Sequence, residues 1–120
     1  MKTLVIGASL NSSRYSNMAI VKLKQFHIET VALGLKSGLV EDVAIATEKK
    51  AFDDIHTVTL YLNPKRQEEY YDYIISLNPK RVIFNPGTEN PEFYELLKKS
   101  GIITEVACTL VLLTTGQYNS

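Results

Sequence analysis

The 120-residue chain is 45% hydrophobic and 22% charged, values of one ordinary globular domain rather than a disordered or multi-domain chain. Thirteen basic residues cancel thirteen acidic ones, so no global basic field favours nucleic acid. The longest apolar run, Leu110 to Leu113, is too short to span a membrane, nothing after Met1-Lys2 reads as a signal-peptide core, and the lone Cys108 has no disulfide partner; together these predict a reducing cytoplasm.

Residues 3–8 read as a buried strand that stops at Gly7. A loop of small and polar residues follows, Ala8-Ser9-Leu10-Asn11-Ser12-Ser13-Arg14-Tyr15-Ser16. Residues 16–26 then read as a helix, with Ala19, Ile20, Leu23 and Phe26 on one face and Ser16 as N-cap. Ile28 to Leu33 is a second strand, ended by Gly34. Residues 34–52 carry only a short apolar piece near Val43 to Ala46 and a possible turn near Phe52. Thr57 to Leu62 is a third strand, apolar enough for burial on both faces.

Asn63-Pro64 has the N-cap and first-turn chemistry that starts a helix, here running to about Leu77 with Tyr70, Ile74 and Leu77 inward. Arg81 to Phe84 is the fourth strand. Asn90-Pro91 repeats the helix-start signal, and Gly101 closes that helix. Ile102 to Val106 is the fifth strand, and Thr109 to Thr115 reads as either helix or strand. This alternation predicts one α/β domain over residues 1–120, a doubly wound, Rossmann-like, five-stranded parallel sheet with helices on both faces. Ligands of such sheets bind outside the strand C-termini, where residues 7–16, 33–38, 61–65, 85–88 and 106–109 converge.

The first loop offers Gly7, Ala8, Ser9, Arg14 and Ser16 to a phosphate-bearing ligand. It is not the dinucleotide fingerprint, because serine stands at positions 9 and 12 where G-x-G-x-x-G needs glycine. Its length, about eight residues, exceeds the two to six of an ordinary strand-to-helix turn. After the second strand comes Gly34-Leu35-Lys36, with no carboxylate for an NAD ribose. Lys36 suits a ribose phosphate, as in NADP or coenzyme A; a solvated lysine is the plainer alternative. Asn63 and Pro64, with Lys65 and Arg66 behind them, and the Pro86-Gly87 turn complete the edge. Cys108 is either a reactive thiol there or a small buried apolar residue.

His27 and His56 lie at connections away from that edge, without partners at metal-ligand spacing. No zinc motif, P-loop or nucleophile elbow is present, and Glu48, Glu68 and Glu69 sit in solvated stretches. No acid–base pair emerges, so neither a metal nor catalytic residues are expected. A response-regulator-like domain would need an acidic cluster after the first strand and an Asp after the third; Gly7-Ala8-Ser9 and Leu62-Asn63 supply neither.

Taken together, Gly7-Ala8-Ser9 with Arg14 and Ser16, Val31 to Gly34, Asn63-Pro64, Pro86-Gly87, Cys108 and Tyr118 give the chain a resemblance to the coenzyme A-binding domain family. These are small stand-alone relatives of the N-terminal domain of the succinyl-CoA synthetase α subunit. The resemblance implies coenzyme A or an acyl-CoA across the strand ends, with the pyrophosphate over the first loop and the adenosine near residues 33–36. Leu35-Lys36 replaces the Pro-containing turn usual in such domains, and the stretch before Phe52 is irregular. The reading is therefore a non-catalytic binding or regulatory protein with a small-molecule nucleotide ligand. The alternative is an NADP-dependent, oxidoreductase-related protein. A protein partner or homodimer is left open by the Tyr70-Tyr71-Tyr73 patch, which serves equally as core and helix face.

Overall fold

The computed structural model describes residues 1–119. Its elements in chain order are β1 (Thr3–Ala8), α1 (Tyr15–Gln25), β2 (Thr30–Gly34), β3 (Gly38–Val40), β4 (Val43–Ala46), β5 (Thr57–Leu60) and α2 (Pro64–Gln67). A 3-10 turn (Glu68–Tyr70), α3 (Tyr71–Leu77), β6 (Arg81–Phe84), α4 (Pro91–Lys99), β7 (Ile103–Val106) and α5 (Thr109–Thr114) follow.

The seven strands lie in the order β3-β4-β2-β1-β5-β6-β7. All neighbours pair in parallel except β3 with β4. The doubly wound fold is as expected, but the sheet has seven strands and not five. The extra two form a hairpin inside residues 34–52, and β4 extends the sheet beyond β2. Its two-residue turn places Glu41 at φ 55°, a left-handed conformation normally signalled by Asn or Gly. Glu41-Asp42 carries no such signal, so the hairpin is not legible from local composition.

Two helices also differ from expectation. Helix α1 begins at Tyr15 with Arg14 in the cap position, so Ser16 is a first-turn residue and not the N-cap. The helix expected over 64–77 is broken by the 3-10 turn into α2 and α3. Residues 109–114 are helical, which resolves the open choice at the C-terminus.

The helices cover both faces. On one, Ile74 of α3 and Phe93 and Leu97 of α4 pack against Leu4, Ile6, Val58, Leu60, Val82 and Phe84. On the other, Ile20 and Leu23 of α1 and Leu112 and Leu113 of α5 pack against Val5, Ala32, Ile45 and Ile83. Every residue of β5 and β6 is buried, as central parallel strands require. The tyrosine patch belongs to this packing: Tyr70, Tyr71 and Tyr73 lie half-buried against the first core. Tyr71 stacks on Phe93 with ring centres 4.3 Å apart.

The N-terminal edge of the sheet is locked by one buried guanidinium. Arg81, at the start of β6, donates from Nε to Thr57 Oγ1 (2.9 Å), from Nη1 to Glu105 Oε1 (3.1 Å) and from Nη2 to the Tyr118 carbonyl (2.7 Å). It also lies 4.4 Å from the Tyr118 ring centre. The Tyr118 hydroxyl in turn bonds the Thr3 hydroxyl. One side chain thus ties β5, β6 and β7 to the C-terminal segment, which itself reaches β1. Truncation of Arg81 strands Tyr118 and Glu105. Arg81→Ala is expected to lower unfolding free energy by about 2–3 kcal/mol, measured by urea denaturation.

Candidate functional site

The strand order reverses at β1, which has β2 on one side and β5 on the other. The chain leaves β1 through a bulge: Ile6 pairs Leu33 and Ala8 pairs Gly34, with Gly7 unpaired between them. Gly7 sits at φ +92°, and a Cβ there would stand 3.0 Å from the backbone carbon and oxygen of Tyr61. At Gly34 a Cβ would stand 2.3 Å from the Ala8 carbonyl oxygen. The end of β1 is therefore held between its neighbours at a separation no side chain permits.

Past the bulge, the loop fastens itself. Ser9 Oγ accepts the Asn11 N–H (3.1 Å), and Asn11 Oδ1 accepts the N–H (3.0 Å) and hydroxyl (2.7 Å) of Ser13. Asn17, from the first turn of α1, donates to the Ser9 carbonyl (2.9 Å). No side chain caps α1, so the positive end of this 11-residue helix is left for another acceptor.

Together these elements enclose a cleft of about 750 Å³, in the range of small-molecule sites. From the sequence-derived set it gathers Gly7, Ala8, Ser9, Arg14, Ser16, Gly34, Lys36, Asn63, Pro86 and Gly87. Pro64 and Cys108 are not in its lining. Pro64 opens α2 while Asn63 Oδ1 accepts the Arg66 N–H (2.9 Å). Cys108 is half-buried in the cap position of α5, so the segment 106–109 does not join the other four.

Of the two cations behind Asn63-Pro64, Arg66 lines the cleft and Lys65 does not. The cleft also contains residues not expected as ligand contacts, notably Tyr15, Leu35, Tyr61, Tyr70 and Thr88. Most of these lie inside the segments already marked. Tyr70 lies beyond them, one helical turn after Arg66, so i, i+4 spacing was its signal. Arg14, Lys36 and Arg66 are the cations of the lining, which contains no Asp or Glu. Among the described residues none of the three makes an ion pair. His27 and His56 lie outside the cleft. Among the described residues no group of three or more His, Cys, Asp or Glu is placed to hold a metal ion.

Beneath the cleft, Asn85 is a buried bracket. Its Nδ2 donates to Thr59 Oγ1 (2.7 Å) and the Leu60 carbonyl (2.9 Å), and its Oδ1 accepts the Thr109 N–H (2.9 Å). Thr59 and Thr109 share a further hydroxyl bond (2.8 Å). The buried Tyr61 hydroxyl lies near both threonines but meets no partner among the described residues at hydrogen-bonding geometry. Burial pushes its pKa up to about 12, against the opposing influence of the Thr109 and Thr59 hydroxyls.

Fold and cleft together define a Rossmann-like α/β domain whose cavity lies at the topological switch point. The chain belongs to the CoA binding domain family, whose model matches residues 1–114. Membership associates it with coenzyme A-related binding. A crystal structure described as that of an uncharacterized protein is 45% identical, with a TM-score of 0.95, covering 98% of this chain and 97% of that one. A hypothetical protein from Pyrococcus horikoshii OT3 is 25% identical, with a TM-score of 0.81 over 91% of this chain and 78% of that one. A Thermus thermophilus protein, cell-free ID.343, shares the fold at 17% identity, with a TM-score of 0.85 over 98% and 90%. No curated protein matches the chain.

Two outcomes are expected. Gly7→Ala combines a left-handed φ with the Tyr61 contact and should cost about 2–3 kcal/mol in urea denaturation. For pH, Tyr61 ionises near 10 when unfolded and near 12 when folded. Its stabilising contribution is complete below pH 10 and is lost as pH rises towards 12. Urea midpoints taken across that interval should fall for the wild type and fall less for Tyr61→Phe.

Proposed function

We propose that this chain binds coenzyme A or an acyl-CoA in the switch-point cleft and acts as a non-catalytic carrier, sensor or regulatory module. The observation that carries the reading is the cleft's charge. Three cations with no ion pair among the described residues, and an uncapped helix start, surround a lining with no Asp or Glu, in a chain of the CoA binding domain family. Such a donor set fits a ligand bearing several phosphates.

In this reading the diphosphate lies over the first loop, against the backbone of Gly7, Ala8 and Ser9, the start of α1 at Ser16, and Arg14. Lys36, after β2, takes the ribose phosphate, and Gly34 and Leu35 flank the adenosine. Asn63, Pro86 and Gly87 line the far wall, along which the pantetheine arm extends. Pro64 acts through α2, and Cys108 is assigned no contact.

The non-catalytic part rests on what lines the cleft. Its titratable groups are arginines, a lysine and tyrosines, with no His, Asp, Glu or Cys. Burial raises the pKa of Tyr61 to about 12 and also raises that of Tyr70. Neither phenol is matched to proton transfer near neutral pH.

The test is calorimetric titration of ligand-stripped protein with coenzyme A, with NADP, NAD and AMP as comparators. Tight binding of coenzyme A alone supports the reading, whereas selective binding of NADP replaces it with the oxidoreductase-related alternative. Arg14→Ala is expected to weaken coenzyme A by about tenfold or more, the scale of one charge-assisted contact. Lys36→Ala should abolish the preference for coenzyme A over 3′-dephospho-coenzyme A. An unchanged preference would remove Lys36 from the site.

A further inference from the structure

The two strands that meet at the switch point each send one arginine into the cleft: Arg14 from the loop after β1, and Arg66 from the turn after β5. Because β1 and β5 are neighbours in the sheet, the two arginines line the same cleft from adjacent strand ends. The Arg66 side is held by an unusual amount of buried polar structure. The Arg66 N–H itself donates to Asn63 Oδ1 at 2.9 Å. The next residue, Gln67, is fully buried. Its amide donates to the Leu62 and Thr88 carbonyls at 2.8 Å each, and its Oε1 receives Asn90 Nδ2 at 2.9 Å. Asn90 Nδ2 also reaches the Tyr71 hydroxyl at 2.8 Å.

These bonds tie the turn that carries Arg66 to the end of β5 and to the loop after β6. Leu62 and Thr88, whose carbonyls receive the Gln67 amide, both line the cleft. A buried amide spent on two loop carbonyls fixes the spacing of two walls, which an apolar side chain of similar size would not do. The guanidinium of Arg66, by contrast, makes no ion pair among the described residues and faces a lining without carboxylates. The turn's backbone is held rigidly while its charged end is left free, an arrangement suited to a preorganised anion contact.

We propose that Arg66 is the second jaw of a diphosphate clamp, closing from the β5 wall opposite Arg14, and that buried Gln67 is the positioning residue that holds that jaw. The inference rests on the coenzyme A reading for its physiological ligand. Its chemistry, two arginines bridged by linked phosphates, applies to any nucleoside diphosphate.

The test is calorimetry at fixed ionic strength with coenzyme A, ADP and AMP on the wild type, Arg66→Gln, Arg66→Lys, Gln67→Leu and the Arg66→Gln/Gln67→Leu double variant. Arg66→Gln is expected to weaken coenzyme A and ADP by about tenfold or more, the effect of one lost charge-assisted contact, and to cut the ADP-over-AMP ratio by a similar factor. Arg66→Lys should recover part of that ratio, since it keeps charge but loses the forked geometry. Gln67→Leu should lower the ratio in the wild type and leave it unchanged in the Arg66→Gln background. Equal losses for ADP and AMP, or no loss with Arg66→Gln, would overturn the clamp. A ratio untouched by Gln67→Leu would reduce Gln67 to a stabilising role and overturn that half. Wild type that binds ADP but not coenzyme A overturns the coenzyme A reading and leaves the clamp standing; wild type that binds neither overturns both.

Discussion

Between β2 and β5, near the end of β1, the chain passes residue 7 with no room for a side chain. The Tyr61 backbone closes one side of that point, and the Ala8 carbonyl crowds Gly34 on the other. These contacts set the shape of what lies above. The bulge at Gly7 shifts the register, one more residue pairs as Ala8 meets Gly34, and the chain then forms a loop over the strand ends. That loop then secures itself through Ser9, Asn11, Ser13 and Asn17, and delivers α1 with its N-terminus toward the crevice. Backbone packing at two glycines thus comes before any ligand chemistry.

The far wall depends on a different device, buried amides. Asn85 ties β5, β6 and the start of α5 together, while Gln67 and Asn90 join the loops after β5 and β6. Each of these residues is at least nine-tenths buried, and each spends its amide on neighbours that would otherwise leave backbone groups unpaired. Tyr61 is the exception within this layer. Its hydroxyl is buried beside Thr59 and Thr109 without reaching hydrogen-bonding geometry to either. A buried unpaired hydroxyl on a cleft-lining residue is a cost that the surrounding packing offsets. The opposite edge has no such exception: Arg81 satisfies Thr57, Glu105 and the Tyr118 carbonyl at once.

What was legible in the sequence follows from how far each signal reaches. Asn63-Pro64 and Asn90-Pro91 announce helices because the cap accepts an N–H only three residues away. The central strands are legible because their β-branched and bulky apolar residues, Thr-Val-Thr-Leu in β5 and Val-Ile-Phe in β6, suit a sheet buried on both faces. The first loop stood out because an apolar strand gives way to Gly7 and a run of small polar residues. The β3–β4 hairpin did not, since Glu41 adopts its left-handed turn conformation without the usual residue type. The brackets of the site were hidden for another reason: Gln67 finds Thr88 21 residues away, and Asn85 finds Thr109 24 residues away. Each looks like an ordinary polar residue near a turn until the fold brings its partner close. Cys108 shows the converse. It lies near the ligand edge in sequence order, but it sits after the outermost strand, where the cleft does not extend.

The zero net charge has a different meaning once these distances are known. It disfavours a nucleic-acid surface, which needs many phosphate contacts over a long stretch. It does not weigh against a compact polyanion. Screening limits exposed charges to about 8–10 Å at physiological ionic strength. Two of the carboxylates that balance the chain are spent elsewhere, Glu29 on Lys2 and Asp42 on Lys24. Glu105 is held by Arg81 on the N-terminal half of the sheet. None lines the cleft, where Arg14, Lys36 and Arg66 stand on the loops after β1, β2 and β5. Three neighbouring strands carry these loops, so the three cations line one cleft. A ligand there therefore meets a set of positive charges that the overall composition conceals, and sheet order rather than sequence proximity gathers it.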